Sequence, residues 1–458
     1  MTFDPDISPE TRLRLIHALR ISPTEGGFLI EAEHRRLVID NASLVTPVVL
    51  SGLWNWIAAP QLFAKAISAV GTEGGPQTQA LLTRLEAAGL LVEGLWQDNT
   101  RIAELRVAPG SGLAPCPEPS IAAEALSLVE YCTMAPGPRG WTLSSPLASG
   151  VVIVPEPDIL RHILNTPKDW IPKGDMQIGL AHMLRRAALM LPPEQLPEPG
   201  PLTSAGLRLH GLSRRGSAPG PVGAIGQSSP DRELDLPHPP HAAGTPVALP
   251  APPQGESPKF AALLSRRNSL RRVRDENHLS ADALGSLMGL AAKETTASGK
   301  HRHFPYPTAG SSPLFTSVLA LSHPTDNLPA LSAYDATTHA LHPIAGDPEP
   351  LLQDAAVSMG VDKAPAGLVT LAAHFDRLGS KYGDTAYALV LKNSGVLLQT
   401  LHLAATASGL GSCILGGGDS RAFAKLTGYD PRHVGPVGEI ALTGPLPDKL
   451  EKWERYDA

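Results

Sequence analysis

The chain has 458 residues, 42% of them hydrophobic, and carries a formal net charge of −6 with an isoelectric point near 6.2. A chain of this length holds two or three domains, each with its own core. Its acidic balance argues against a nucleic acid or an anionic membrane as the main partner.

Membrane, metal and disulfide roles lack sequence support. No apolar run of about 18 residues occurs, and the start of the chain lacks a basic segment followed by an apolar one. We therefore expect a soluble, cytoplasmic protein that makes no membrane contact. The cysteines at positions 116, 132 and 413 form no CxxC pair, so neither a zinc site nor a disulfide framework is expected.

The first 110 residues predict a winged-helix-like unit. Three helices followed by a strand give the winged-helix order, and a second small helical or winged-helix-like unit is expected over residues 111–191. The predicted elements of the first unit are two strands within Gly27–Ile39, helices over Thr46–Ala58, Gln61–Val70 and Pro76–Gly89, and a strand over Gly89–Glu93; those of the second are helices near Ala122–Tyr131 and Pro157–Leu164.

Winged helices often bind DNA, so the charges on the helix that would contact DNA are informative. The third predicted helix would be the recognition helix, and it carries Arg84 and Glu86 but no basic stripe to neutralise phosphates. We therefore favour a module that docks a peptide or a protein over one that binds DNA.

Proline marks the next segment, residues 192–258. This stretch holds 16 of the 46 prolines. Because proline lacks a backbone donor and fixes φ, the stretch predicts a linker or an extended arm without regular helix or central strand.

Residues 259–458 predict one α+β domain. Its helices and strands alternate without a regular βαβ repeat, and one almost uniformly apolar strand is expected at the centre of the sheet. The predicted elements are helices over Leu279–Ala292 and Leu391–Ser408, and strands over Ser317–Leu321, Leu331–Tyr334, Gly367–Ala373 (the central one) and Glu439–Thr443.

Two motifs near the start of this domain point to a planar, phosphate-bearing cofactor. Four arginines lie within residues 266–272, and guanidinium groups make bidentate, charge-assisted bonds to phosphate. The turn at 307–310, Pro-Thr-Ala-Gly, has small side chains that would let the backbone approach a flat ring. Taken singly, each motif is also typical of an ordinary surface helix or turn.

Other patterns favour or exclude particular chemistries. The glycine-rich residues 409–418 follow a helix and have the wrong spacing for a dinucleotide loop, so a helix cap and turn are an equally good interpretation. Lys381-Tyr382 could supply a general base if it lies in a pocket. No HxxxH, HExxH, GxSxG or P-loop spacing occurs, which removes support for the usual metalloenzyme, hydrolase and kinase classes.

The order of motifs from about residue 207 to residue 446 resembles the SagB/McbC-type dehydrogenases, an FMN-dependent branch of the nitroreductase superfamily. The matching segments are Leu209-His210 to Ser213-Arg214 and Gly216 (FHxxSRxG), Arg267 to Arg271 (RRSxR, with Asn268 in the second place unless Arg266 and Arg267 are the pair), Tyr306 to Gly310 (YPSAG, with Thr308 for Ser), Arg377 to Gly383 (RxxxKYG), and the helix from Gln399 to Gly411. Gly395-Val396 stands where the family has Gly-His.

The resemblance implies a homodimer with FMN at the subunit interface. It implies oxidation of a thiazoline or oxazoline in a ribosomally made peptide to the azole, beside a YcaO-type cyclodehydratase and a leader-recognising winged-helix element. The site residues that it implies are Lys381 and Tyr382 for catalysis, Arg266, Arg267, Ser269 and Arg271 for phosphate and ribityl chain, and Pro307, Thr308, Ala309, Gly310, Gln399, Leu415, Gly416 and Gly417 for the rest of the cofactor.

Two other functions stay open at this stage. A general NAD(P)H-dependent nitroreductase or deiodinase-like flavoenzyme would use the same fold with added nicotinamide. A non-catalytic scaffold that docks peptide would use the N-terminal units alone.

Overall fold

The computed structural model describes residues 9–16, 19–32, 35–40, 42–107, 124–165, 167–198, 200–213, 236–253, 258–273, 278–296, 302–309, 313–325 and 327–445. The chain divides into two compact units, residues 1–226 and 227–458, and both mix helices and strands. Among the described helices, none is both long and apolar enough to cross a bilayer.

The first unit consists of short strands and helices. In chain order they are β1 Glu10–Leu15, β2 Leu19–Thr24, β3 Gly27–Ala32, β4 Arg35–Ile39, α1 Val45–Gly52, β5 Ile57–Ala58, α2 Ala59–Val70, α3 Gly74–Ala87, β6 Leu91–Gln97, β7 Thr100–Val107, β8 Ser127–Leu128, β9 Thr133–Gly137, β10 Gly140–Ser144, β11 Gly150–Val154, α4 Arg161–Asn165, α5 Gly174–Arg186, β12 Met190–Leu191 and α6 Ser204–Leu212.

The predicted order of three helices and a strand appears as α1, α2, α3 and β6, while the winged-helix assignment itself stays a prediction. The first helix ends at Gly52, six residues before its predicted end, because Ile57 and Ala58 pair with β1 instead. The helix predicted near Ala122–Tyr131 is wrong in its described part. There Leu126 bridges Trp170 and the next two residues form β8.

One large sheet joins residues from both sides of the boundary predicted at 110/111. Its strand order is β5-β1-β6-β7-β11-β10-β9. β7 precedes the predicted boundary and β11 follows it, yet they pair directly, with Leu105 opposite Val152. Both of these side chains are buried in one apolar cluster with α5.

The charged residues of the third helix are engaged within the first unit. Arg84 donates to the Val38 carbonyl at 2.8 Å. Glu86 forms an ion pair with Arg186 of α5, which also binds Glu93 of β6, and all three side chains are at most 6% exposed. This ion triad ties α3, β6 and α5 together.

The proline-rich segment contains regular structure that its composition did not predict. α6 occupies residues 204–212, where no proline occurs between 203 and 217, and its N-cap Thr203 accepts a hydrogen bond from the Gly206 amide at 3.3 Å. The prediction that no regular helix forms between 192 and 258 is therefore wrong at this point. Helix formation needs only a local gap between prolines and a capping side chain.

The second unit is built around another seven-stranded sheet. Its elements are β13 Val247–Ala248, α7 Phe260–Arg266, α8 Ala281–Ala291, β14 Thr295–Thr296, β15 Arg302–His303, β16 Phe315–Leu321, β17 Leu331–Asp335, β18 Ala340–Pro343, α9 Glu349–Met359, β19 Gly367–His374, α10 Phe375–Tyr382, α11 Ala386–Ala407, β20 Leu410–Leu415, α12 Ser420–Thr427 and β21 Val434–Pro445.

The central sheet of this unit is antiparallel and covered on both faces. Its order is β13-β18-β17-β16-β19-β21-β20, so the predicted central strand β19 is interior. Leu397 of α11 and Leu287 of α8 pack on one face, and Leu351 of α9 and Phe423 of α12 pack on the other. The predicted helices and strands of this unit are confirmed, with α11 starting five residues earlier than predicted.

The described end of the proline-rich segment, residues 236–253, lies along the second unit. Val247 and Ala248 add the edge strand β13 to β18. Tyr429 donates through its hydroxyl to the Pro237 carbonyl at 3.0 Å, and His339 Nε2 lies 3.0 Å from the Pro250 carbonyl. This part of the segment is an ordered arm bound by backbone and side-chain contacts.

Candidate functional site

The arginine-rich segment after α7 runs alongside the edge strand β20. Ser269 forms a parallel bridge with Ser412, and the Leu270 amide donates to the Ser412 carbonyl at 2.9 Å. This bridge fixes the backbone at Ser269 and Leu270 beside the middle of β20. The residues predicted to bind phosphate are therefore held on a fixed backbone.

The guanidinium groups of this segment carry positive charge that the described protein does not neutralise. Arg267 is half-buried, whereas Arg266, Ser269 and Arg271 are exposed. None of the three arginines forms an ion pair with a residue in the described ranges. Fork-shaped donors beside a hydroxyl fit a phosphate group, which accepts bidentate, charge-assisted bonds. The donor set thus matches the phosphate-bearing cofactor predicted from the sequence.

His402 of α11 fixes the backbone of the arginine-rich segment, and sequence reasoning missed it. Its ring is 1% exposed, Nε2 lies 3.0 Å from the Asn268 carbonyl, and a second hydrogen bond joins the ring to the Ser412 backbone. Burial, and to a smaller extent the Arg267 guanidinium, lower the pKa of His402, while its hydrogen bonds to the Asn268 and Ser412 backbone oppose that shift. A single histidine inside an apolar helix has no spacing pattern that would predict this role.

Pairing registers bring the other predicted motifs to one end of the sheet. Phe315 at the start of β16 pairs with Ala373 near the end of β19, and Ala373 pairs with Gly435 near the start of β21. At the end of β20, Leu415 pairs with Glu439 of β21. The turn before β16, helix α10 after β19 and the glycines after β20 therefore leave the sheet at the same end. Three strand steps separate β20 from β16, roughly 14 Å at the usual spacing.

A cavity of about 300 Å³ lies beside the Pro-Thr-Ala turn. Its wall includes Phe304 and Tyr306, whose ring centroids are 5.6 Å apart, and Tyr306 is 6% exposed. The predicted ring-lining residues differ in exposure: Pro307 is exposed, Thr308 and Ala309 are half-buried, and Gly310 lies outside the described residues.

Lys381 and Tyr382 are the last two residues of α10. Gly383 follows with φ of 51°, a left-handed conformation that favours glycine, and a short 3-10 turn leads into α11. Lys381 Nζ lies 5.5 Å from the centroid of the Tyr382 ring, within cation–π range. The two side chains thus lie side by side at the point where the helix breaks. Both are half-buried, and neither lines the 300 Å³ cavity.

One of the glycines after β20 lies against a buried carboxyl group. Leu415 is buried, while Gly416 and Gly417 are exposed with open space where a Cβ would be. A Cβ on Gly418 would meet the Glu439 carboxyl at 2.4–2.5 Å, so a larger residue here would have to displace that side chain. Gln399 is exposed on α11 and forms no hydrogen bond with a described residue.

His374, at the end of β19, links the start of α10 to β16. Its Nε2 lies 2.9 Å from the Thr316 hydroxyl, and its ring contacts Tyr429 edge-on with centroids 5.7 Å apart. Burial and the Arg377 charge lower the pKa of His374 to about 4, so the ring is neutral at neutral pH. This buried contact positions the helix that carries Lys381 and Tyr382.

Comparison with known families identifies the second unit. Residues 264–439 match the nitroreductase family, and this range contains every predicted site residue. The C-terminal region is a nitroreductase-family domain. No curated protein matches the chain significantly.

Several solved structures are similar to parts of the chain. One, assigned to the nitroreductases of Ralstonia eutropha, is 20% identical over 47% of this chain and 97% of its own, with a TM-score of 0.38. The Escherichia coli microcin synthetase McbBCD complex with truncated pro-MccB17 bound is 21% identical over 43% of this chain and 77% of its own, with a TM-score of 0.33. A third, assigned to the nitroreductases of Anabaena variabilis, is 14% identical over 96% of this chain and 80% of its own, with a TM-score of 0.39.

Glu439 is a buried titratable group of the nitroreductase-family domain that sequence reasoning did not select. It is 4% exposed, accepts from the Thr370 hydroxyl at 3.3 Å, and has no partner for Oε2 among the described residues. Burial and the nearby Asp354 raise the pKa of Glu439 to about 7. The domain therefore holds a carboxyl group beneath the glycine loop that gains or loses a proton near neutral pH.

Replacing Glu439 with glutamine is expected to remove a pH-dependent part of the stability. A folded-state pKa raised from 4.5 to about 7 means that the folded protein binds the proton more tightly than the unfolded chain. Wild-type stability should therefore fall as the pH rises from about 4.5 through about 7. Glu439→Gln should escape this loss and exceed wild type above pH 8 by on the order of 3 kcal/mol. Urea unfolding between pH 5 and pH 8.5 measures the difference.

The matched control for this experiment is Asp362→Asn, which changes an exposed carboxyl group of the same domain. It should follow the wild-type pH dependence. Parallel curves for wild type and Glu439→Gln would show that Glu439 does not titrate in this window.

Proposed function

We propose that the nitroreductase-family domain binds FMN and oxidises thiazoline or oxazoline rings in a ribosomally made peptide to thiazoles or oxazoles. The observation that carries this proposal is the arginine-rich segment, whose arginines at 266, 267 and 271 form no ion pair with a described residue and whose backbone is bridged to β20, with the other motifs leaving the sheet at one common end. The order of those motifs resembles the SagB/McbC-type dehydrogenases and supplies the reaction class.

The phosphate and ribityl chain of FMN are assigned to the arginine-rich segment. Arg267 and Arg271 would hold the phosphate with Arg266 beside them, and Ser269 would donate its hydroxyl. The hydrogen bond between His402 and the Asn268 carbonyl holds the backbone that carries these side chains. The remaining proposed contacts, to the ring and its surroundings, come from Pro307, Thr308, Ala309, Gly310, Gln399, Leu415, Gly416 and Gly417.

Aromatisation removes a proton from the ring Cα and a hydride from the adjacent carbon. FMN, when bound, would supply the acceptor for the hydride. Lys381 or Tyr382 is the proposed base for the proton, and the other side chain orients the peptide ring. The 5.5 Å contact between the Lys381 ammonium and the Tyr382 ring allows both side chains to face one substrate.

The first unit is the proposed docking region for the peptide substrate. The charged side chains of α3 are engaged in internal contacts, which favours a peptide or protein partner over DNA. A YcaO-type cyclodehydratase would supply the azoline, and a homodimer with FMN at its interface is the proposed assembly. These partners come from the family resemblance.

The visible spectrum of the full chain, purified gently with riboflavin phosphate supplied, tests the cofactor. We expect a yellow protein with one FMN per chain. Incubation with an azoline-containing peptide and O₂ should then remove two hydrogen atoms per ring without added nicotinamide, as read by mass spectrometry. A yellow protein that requires NADPH and reduces nitroaromatics would replace this function with that of a general nitroreductase. A colourless protein that still binds peptide would be a docking scaffold.

A further inference from the structure

The 300 Å³ cavity beside the Pro-Thr-Ala turn has a wall composition that the proposed reaction does not require. We call it the aromatic cavity, after the four rings in its wall, Phe304, Tyr306, Phe315 and Tyr334. The ordered arm closes one side with Leu236, Pro237 and His238. All of these described wall residues belong to the second unit.

The aromatic rings are fixed in place. Phe315 and Tyr334 are buried on neighbouring strands, at 8% and 6% exposure. The Tyr334 hydroxyl lies 2.7 Å from His339 Nδ1, which sets the orientation of the phenol ring. Because these side chains are already ordered, binding a ligand costs less conformational entropy than it would at a mobile site.

The cavity carries negative charge. Among the described residues of its wall are the carboxyl groups of Asp335 and Glu294 and no lysine or arginine. The pKa of Asp335 is lowered: burial opposes ionisation, but the Thr338 hydroxyl and the amides of Thr337 and Thr338 bind the carboxylate more strongly. Glu294 accepts from the Thr337 hydroxyl at 3.2 Å. Asp335 Oδ2 also lies 3.7 Å from His342 Nε2, and the ionised Asp335 carboxylate can accept a further hydrogen bond.

A metal ion is a poor match for this charge. Within the described ranges, no group of three histidine, cysteine, aspartate or glutamate side chains is arranged to hold one. Aromatic rings and carboxylates in one wall instead favour an organic cation, since a ring quadrupole attracts positive charge and a carboxylate accepts hydrogen bonds from the cation.

We propose that the aromatic cavity binds a guanidinium or ammonium side chain of the peptide substrate, next to the heterocycle that is oxidised. The cation preference follows from the cavity itself, whereas the assignment of the guest to a substrate peptide rests on the proposed function. Peptides with arginine or lysine close to the azoline would then be the preferred substrates, because Tyr306 of the cavity wall directly precedes the turn proposed to line the flavin ring.

Calorimetric titration of the full chain tests the cation preference. The probes are N-acetyl-arginine amide and its neutral isostere N-acetyl-citrulline amide. We expect saturable binding of the arginine probe and at least about tenfold weaker binding of the citrulline probe, the loss typical of one charge-assisted hydrogen bond. Equal affinities, or no binding of the arginine probe, would overturn the proposal.

Two variants locate the binding. Asp335→Asn keeps an acceptor for the Thr337 amide but removes the charge, and Glu294→Gln removes the second charge from a different segment. Each should weaken the arginine probe about tenfold, while Asp362→Asn should not change it. Unchanged binding in both cavity variants would place the probe elsewhere and reject the assignment.

A failure of the cation site can be told apart from a failure of the proposed flavin-dependent function. Neither cavity variant touches the arginine-rich segment, so both should retain the yellow colour of the holoenzyme. Loss of arginine binding with retained flavin tests the cavity alone, and a colourless wild type that still binds arginine would remove the flavin chemistry but keep the cation site.

Discussion

Arg267→Ala is expected to purify without flavin colour. Arg267 is the half-buried arginine of the segment along β20 and forms no ion pair with a described residue. Removing one charge-assisted bond costs about 1.5–3 kcal/mol, which weakens FMN binding roughly 10- to 100-fold. Gel filtration followed by the ratio of flavin to protein absorbance measures the loss, and fluorescence titration with FMN gives the Kd.

Three comparisons make this result specific. Arg267→Lys keeps the charge without the planar fork and should bind FMN with intermediate affinity. Ser269→Ala removes only the hydroxyl and should cause a smaller loss. Arg421→Ala changes an exposed arginine of α12 and should remain fully yellow. If Arg267→Ala folds, by circular dichroism, and keeps wild-type FMN affinity, the phosphate is bound elsewhere.

The sequence predicted those elements whose signals are local. The apolar stripe of Leu397 and Leu401 indicated α11, and the continuous apolar run at Gly367–Ala373 indicated an interior strand. In both, side-chain periodicity reports burial directly, so no knowledge of the partner element is needed. Composition was less reliable, because the overall proline content hid the proline-free residues that form α6.

Long-range contacts explain what the sequence could not provide. His402 becomes a clamp only because α11 packs against the segment around Asn268, which is 134 residues earlier in the chain. The aromatic cavity likewise combines Tyr306, Tyr334 and the arm residue His238, and no spacing rule connects them. In the sequence, Glu439 is one polar residue within a strand, and only the fold shows that Gly418 lies against its carboxyl group.

The second large effect is expected when Lys381 or Tyr382, at the end of α10, is replaced. Replacing Lys381 with alanine, or Tyr382 with phenylalanine, should lower azole formation while FMN stays bound. Loss of a general base typically costs about 10²- to 10⁴-fold, and the residue that acts as the base should show the larger loss in single-turnover rates. Lys392→Ala and Tyr387→Phe change exposed residues of α11 and serve as matched controls.

The relative losses in the two single variants separate the base from the orienting residue. If Lys381 is the base, Lys381→Ala should lower the single-turnover rate more than Tyr382→Phe does. The opposite pattern assigns the proton to the Tyr382 hydroxyl. Because Lys381 and Tyr382 are in contact, their effects should be less than additive in the double variant. Near-normal rates in both single variants with flavin bound would exclude the pair from proton transfer.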